Sequence, residues 1–262
     1  MRYLPLLAQR GARVIACVPP SLARVLRLVP GVAAVITDAG DLPTFDFVCP
    51  MFSLPRVFGT SVKTIPPVPP VVMDPDLVRR WAWRLPAGAL RVGLVWAGQA
   101  RPSLAGFTTL DRRRSAGLAT FAPLFDVRGT AFVSLQAGPP GRQSRPAGVE
   151  IIDPMPDVTD FADTAAIIAA LDVVVSVDTS VVHLAGLLGK PVFLLDRYDS
   201  CWRWLSSRAD SPWYPAMTIF RQEQPGDWSV AMTRAAASLH AMAMFRGFGA
   251  RPAGMREHAF IA

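Results

Sequence analysis

Short apolar runs recur along this chain, separated by polar turns and amphipathic stretches. The clearest case is Val173-Val-Val-Ser-Val177, followed by Asp178-Thr-Ser180, a short helical stretch, Gly189-Lys-Pro191 and a second apolar run, Val192 to Leu195. That order predicts strand, loop, helix, strand. The amino-terminal part repeats the alternation. A helix is expected over Tyr3–Gln9, a strand over Arg13–Val18, and a helix over Leu22–Leu28 capped by Ser21 and ended by Pro30-Gly31. Strands are expected over Val32–Ile36 and Phe45–Cys49. The proline-rich stretch 66–76 reads as a stiff, extended linker. Beyond it a helix carries Trp81 and Trp83 up to Pro86. Strands are then expected over Leu90–Trp96, Ala131–Leu135, Val149–Ile152, Val173–Val177 and Val192–Leu195. Phe161, Ala165, Ile168 and Leu171 share one helical face, with Asp160 and Asp163 in the first turn. Residues 97–117 and 136–148 read as loops, Ala231–Phe245 as a final helix, and 246–262 as a frayed tail. Such alternation implies an α/β fold with parallel sheets and crossover helices. It divides the chain into an amino-terminal unit, 1–76, and a larger unit, 77–245.

Composition removes several function classes. Of 262 residues half are hydrophobic, yet no apolar run reaches the roughly 20 residues that cross a bilayer. Leu4–Ala8 is too short for the apolar core of a secretory signal. Cys17, Cys49 and Cys201 are scattered, which argues against a disulfide framework or zinc site and fits a reducing cytoplasm. The net charge of +7 rests on arginine, with lysine only at Lys63 and Lys190. These arginines are spread out, apart from Arg112-Arg113-Arg114, and no basic stretch is interleaved with aromatics as a nucleic-acid groove requires. No nucleic-acid partner is therefore expected. Dinucleotide, Walker, nucleophile-elbow and zinc-protease motifs are all missing from the sequence.

The candidate chemistry gathers at one strand end. Asp178, Thr179, Ser180 and His183 lie where the strand from Val173 runs into a helix, the end of a parallel sheet at which ligands bind. A helix start offers free N–H groups and a favourable dipole to a phosphate or diphosphate. The hydroxyls of Thr179 and Ser180 add donors, and His183 falls one turn beyond Ser180. Protonated, His183 neutralises a diphosphate; neutral, it donates one hydrogen bond. The other reading makes Asp178 or Thr179 a helix cap and His183 a packed core residue. A second group of candidates follows the strand from Leu90: Gly98, where backbone and ligand can approach, and Arg112, Arg113 and Arg114, any of which can clamp a phosphate or simply be solvated. Trp202, Arg203, Trp204, Arg208, Trp213 and Tyr214 can stack on a base or sugar, or pack their loop against the last helix.

Val173 to Gly186 resembles the nucleotide-sugar loop of the family 9 glycosyltransferases, the ADP-heptose:lipopolysaccharide heptosyltransferases. A glycosyltransferase-like domain found behind tetratricopeptide repeats in bacterial proteins is similar over more motifs. They stand here as Gly93–Gly98, Arg114-Ser115, Phe132–Gln136, Asp160–Ala165, Asp178–His183, Trp202–Leu205, Asp210–Pro215 and Phe220–Gln222. The resemblance implies a GT-B fold of two Rossmann-like domains facing across a cleft. It implies that Asp178, Thr179, Ser180 and His183 line the donor diphosphate and sugar, with Gly98, Arg112 to Arg114, Gln136 and Trp202 as further phosphate or nucleotide contacts. It implies a nucleotide-diphospho-sugar substrate, a hydroxyl acceptor on a glycan, lipid or protein, and neither cofactor nor bound metal. Heptosyltransferases place glycine where this chain has Ser180. Relatives also open with a strand and a Gly-Asp loop bearing the expected base, whereas this sequence begins inside the helix that follows. The first domain is thus expected to be incomplete and no catalytic residue is assigned, so a catalytically silent binding or scaffold domain, a fragment of a repeat protein, stands as the alternative to an active transferase.

Overall fold

The computed structural model describes residues 1–99 and 107–249. In the amino-terminal unit, α1 (Leu4–Gln9), β1 (Val14–Cys17), α2 (Pro20–Leu26) and β2 (Val32–Ile36) follow one another. β1 and β2 pair in parallel and form a two-stranded sheet. Ser21 does not cap α2; the cap position is Pro19, and proline at the first helical position supplies the preset φ instead. Phe45–Cys49, expected as a third strand, forms no strand. Pro43 and Pro50 bracket it, and Phe47 is 93% exposed, so neither a sheet edge nor a core face holds it extended. A single turn, α3 (Leu54–Val57), comes next. The linker ends sooner than expected: Asp74 accepts from the Asp76 N–H at 2.9 Å, and α4 (Pro75–Ala82) starts on Pro75.

The larger unit is built on β3 (Leu90–Val95), β4 (Thr130–Ser134), β5 (Ile151–Ile152), β6 (Val173–Val177), β7 (Val192–Asp196) and β8 (Met217–Arg221). The spatial order is β5-β4-β3-β6-β7-β8, with every neighbouring pair parallel. Numbered within the sheet this is 3-2-1-4-5-6, the doubly wound order. Helices on both faces exclude water, so β6 and β7 are buried at every residue, matching their unbroken apolar runs. β8 went unread in the sequence because Thr218 breaks its apolar run, yet it extends the sheet and sets Arg221 beside Asp196.

Five more α-helices follow among the described residues. α5 (Phe107–Arg114) occupies part of the expected 97–117 loop, with Asp111 and Arg114 paired one turn apart. α6 (Ala122–Phe125) is one short turn, and α7 (Phe161–Ala169) is capped by Asp160, which accepts from the N–H groups of Ala162 and Asp163. α8 (Ser180–Leu187) and α9 (Ser229–Gly249) follow. α9 runs beyond the expected Ala231–Phe245 at both ends, and Ala231, Met232, Ala235 and Leu239 bury one side of it in the cluster that holds Phe121 and Leu124. The rest of the expected tail lies outside the described residues.

The two units share an apolar core, in which Tyr3, Leu4, Val25 and Leu26 pack with Ala165, Val174, Leu194 and Trp204. Asp163 locks this contact. It accepts from Trp81 Nε1 on α4 at 3.5 Å and the Thr159 N–H at 3.1 Å, and faces Arg24 on α2 at 3.6 Å. The Asp160–Ala165 motif therefore joins the units as well as starting a helix.

Candidate functional site

Between β3 and β6 the strand order reverses direction. In doubly wound sheets the crevice outside the carboxyl ends at such a switch point is where ligands bind. Of the residues singled out in the sequence, Asp178, Thr179, Ser180, His183, Arg114 and Trp202 come together there.

On the β6 side, Thr179 caps α8, its Oγ1 accepting from the Val181 N–H at 3.3 Å, while Ser180 is exposed at the first helical position. On the β3 side, Gly98 donates its N–H to Ser115 Oγ at 3.0 Å. Arg114 at the end of α5 bridges the two: its Nη1 donates to the Asp178 carbonyl oxygen at 3.1 Å, and Asp111 pairs with its other terminal nitrogen. Arg114 lies directly over Gly98, so that residue leaves room for a guanidinium rather than for ligand against backbone. Of the three consecutive arginines, Arg114 alone lines a cavity here. Arg113 is paired with Asp199 at 3.0 Å, and Arg112 is exposed.

Gln136 is committed to the backbone. Its Oε1 accepts from the N–H groups of Trp96 and Ala97 at 3.0 and 2.8 Å, and its Nε2 donates to the carbonyls of Ala97 and Ala137 at 3.1 and 3.0 Å. It fixes the loop after β3 against the loop after β4, although its outer surface faces a cavity.

Two cavities meet at Thr179 and Ser180. The first, about 430 Å³, lies between the units; Arg114, Asp178, His183, Trp202, Arg203 and Tyr214 line it beside apolar residues of the amino-terminal unit such as Leu22 and Phe52. The second, about 600 Å³, opens over the ends of β3 and β4 and is bordered by Gln136, Arg142, Asp153 and Phe161. Together they are of a size that suits a nucleotide-scale ligand.

His183 is both a packed residue and a cavity-facing one. The fully buried Trp204 ring stacks on it at 5.2 Å and 18°. Its Nδ1 lies 3.1 Å from the Tyr214 hydroxyl. Burial, and then the nearby Arg203 guanidinium, lower its pKa from the ordinary 6.5 to about 4, against the opposing pull of Asp178. At neutral pH it is an uncharged hydrogen-bonding group. Positive charge in the cavity comes from Arg114, Arg203 and Arg2 instead. Arg203 stands 3.8 Å from the Asp178 carboxylate and 5.8 Å from the Trp202 ring centre. Arg2 donates to the Pro66 and Trp213 carbonyls at 2.6 and 2.7 Å, carrying its guanidinium across to the larger unit. No motif marks Arg2, which reaches the site only through tertiary contact.

Trp202 is exposed on the cavity rim, edge-on to Trp213 at 6.0 Å. Arg208 faces solvent and pairs with Asp210. The loop carrying Trp202 to Trp204 is held by Arg221, which donates to the Leu205 and Ser206 carbonyls and to the buried Asp196 carboxylate. Leu205 sits there at φ 57°, a conformation L-residues rarely adopt. Among the described residues no group of three or more His, Cys, Asp or Glu side chains is placed to hold a metal ion. Nor is any described helix long and apolar enough to cross a membrane.

No family model matches the chain. It is similar to protein FlbA of Caulobacter vibrioides, 31% identical over 180 residues, which are 64% of this chain and 28% of FlbA. The chain thus spans well under half the length of that relative. Among solved structures, E. coli ADP-heptose lipopolysaccharide heptosyltransferase II superposes with a TM-score of 0.60 at 12% identity, covering 94% of this chain and 95% of that one. A glycosyl transferase family 9 protein from Veillonella parvula gives 0.56 at 9% identity, covering 94% and 93%. The chain has the GT-B-like α/β fold of these glycosyltransferase family 9 structures.

Proposed function

We propose that the cleft binds a nucleotide-diphospho-sugar and transfers its sugar to a hydroxyl of a glycan, lipid or protein acceptor. The observation that carries this reading is the convergence at the switch point of the α8 start, the Thr179 and Ser180 hydroxyls, Arg114 and His183, at the meeting of two cavities. The diphosphate lies against the α8 N–H groups, with Arg114 as its charge partner and the Thr179 and Ser180 hydroxyls as donors. The base and ribose extend into the cavity over β3 and β4, and the sugar faces His183 and Asp178 between the units. As the glycosyl–oxygen bond breaks, negative charge grows on the leaving diphosphate. The helix dipole and Arg114 stabilise it there, so the reading needs neither a bound metal nor a cofactor. Similarity of fold to glycosyltransferase family 9 structures supports the reading by analogy.

A second reading, a catalytically silent binding domain, draws on one observation. Asp178 is the one carboxylate bordering the first cavity among the described residues, and Arg203 faces it at 3.8 Å while Arg114 holds the backbone carbonyl of the same residue. A tetratricopeptide-repeat protein as the parent of such a domain belongs to this reading.

Calorimetry with UDP, ADP and their sugar conjugates separates the possibilities. The donor reading expects binding that weakens at least about tenfold in Arg114→Gln and in His183→Ala, as loss of a charge-assisted hydrogen bond requires. Absence of binding by every nucleotide, or variants that bind as wild type, would overturn it. Binding without sugar release to any hydroxyl acceptor favours the silent domain.

A further inference from the structure

We infer that Tyr214 is a positioning residue for His183, its hydroxyl selecting the imidazole tautomer that presents Nε2–H to the cavity; this deepens the donor-site reading and rests on it. The two residues are 31 apart in sequence and come from different elements. Tyr214 reaches the imidazole because α8 carries Gly186 one turn beyond His183, on the same face. A Cβ at residue 186 would stand 2.4 Å from the Tyr214 ring. With Trp204 stacked on one face of the imidazole and Tyr214 tilted against it at 5.8 Å, the ring has little freedom to turn.

A neutral imidazole has one donor and one acceptor nitrogen, and the bond made by one decides what the other can do. Nδ1 lies 3.1 Å from the Tyr214 oxygen. The Arg2 guanidinium lies against the same phenol, 5.3 Å from its ring centre, and has donors only. The Arg2 cation over the phenol, its terminal nitrogens committed to the Pro66 and Trp213 carbonyls, favours the oxygen's lone pairs on its own side and the O–H on the side of Nδ1. Nδ1 then accepts, and the ring proton stays on Nε2. That nitrogen has no partner among the described residues, and His183 borders the cavity together with Thr179 and Arg114. The result is one fixed N–H donor turned toward the place where diphosphate or sugar oxygens lie, held without the cost of a buried charge. The opposite tautomer would offer those oxygens a lone pair and repel them.

The test joins a spectroscopic and a binding arm. Long-range nitrogen–proton spectra of the unliganded protein, assigned with His183→Gln, should show His183 protonated at Nε2. Tyr214→Phe, which keeps the ring, should give a mixture of tautomers and weaken UDP or ADP binding by roughly 3- to 10-fold, the range of a net hydrogen bond. In a His183→Ala background the same substitution should change affinity less than about 1.5-fold, because Tyr214 acts through the imidazole. Protonation at Nδ1 in wild type, an unchanged Nε2 tautomer in Tyr214→Phe, or an equal affinity loss with and without His183 would overturn the assignment. If neither nucleotide binds wild type, the donor reading fails, while the spectra still decide the role of Tyr214.

Discussion

Gly98 and Arg114 touch: a Cβ on residue 98 would stand 2.5 Å from the Arg114 guanidinium. The carboxyl end of β3 and the last residue of α5 thus fit together only because one lacks a side chain. The expected consequence of Gly98→Ala follows from what must give way. The guanidinium is the far end of a flexible side chain, so it swings off the Asp178 carbonyl while the backbone stays. Calorimetry should show nucleotide affinity reduced about tenfold, and urea unfolding a change below about 1 kcal/mol. Unchanged affinity would remove Arg114 from the binding surface.

Gly186→Ala should behave in the opposite manner. Its new methyl meets a ring that is held between Trp204, His183 and Arg2 rather than a free chain end. Overpacking of this kind costs about 1–3 kcal/mol. Thermal and urea unfolding should both register it, and a variant as stable as wild type would show that Tyr214 is not held against α8.

The lowered pKa of His183 predicts a pH window. The unfolded chain takes up a proton near 6.5, and the folded site only near 4. The neutral ring's contribution to stability is therefore complete above pH 6.5 and lost as pH falls toward 4. Urea unfolding between pH 7 and 4.5 should fall more steeply for wild type than for His183→Gln. Parallel curves would mean that His183 titrates alike in both states.

Asp163→Ala should loosen the joint between the units. Burial raises this carboxyl's pKa, but hydrogen bonds from Thr159 and Trp81 and the charge of Arg24 more than offset it, so the net position is below the ordinary 3.8. Its stabilising effect is thus present above that value and lost as pH falls below it. Removing the carboxylate strands Trp81 Nε1 and the Thr159 N–H, and the expected loss at pH 7 is about 2–4 kcal/mol by urea unfolding. A loss under about 0.5 kcal/mol would show that apolar packing alone joins the units.

Much of the fold was legible because the larger unit is a parallel sheet buried on both faces. Val173–Val177 and Val192–Leu195 must be apolar throughout, and the residues that break them mark the turns. Phe45–Cys49 misled for the same reason: its composition is that of a buried strand, but a strand also needs ladder partners, which local composition does not report. Phe107–Arg114, inside the expected 97–117 loop, misled in reverse. Arginine and glycine nearby suggested a loop, while the Asp111–Arg114 pair and the fit of Arg114 over Gly98 accompany a helix.

The strand-to-helix elbow at Asp178 to His183 and the doubly wound alternation around it are written in the local order of residues. Both are local matters of periodicity, capping and chain breaking, settled within a few residues of each other. Long-range packing, by contrast, selects which of three consecutive arginines faces the elbow, makes Gln136 brace backbone rather than stand free, and brings Arg2 and Tyr214 into the same site. Those choices depend on contacts between residues tens to hundreds of positions apart, where one absent Cβ at Gly98 or Gly186 determines which side chain can lie down. Packing at that range leaves no periodic trace in a single chain.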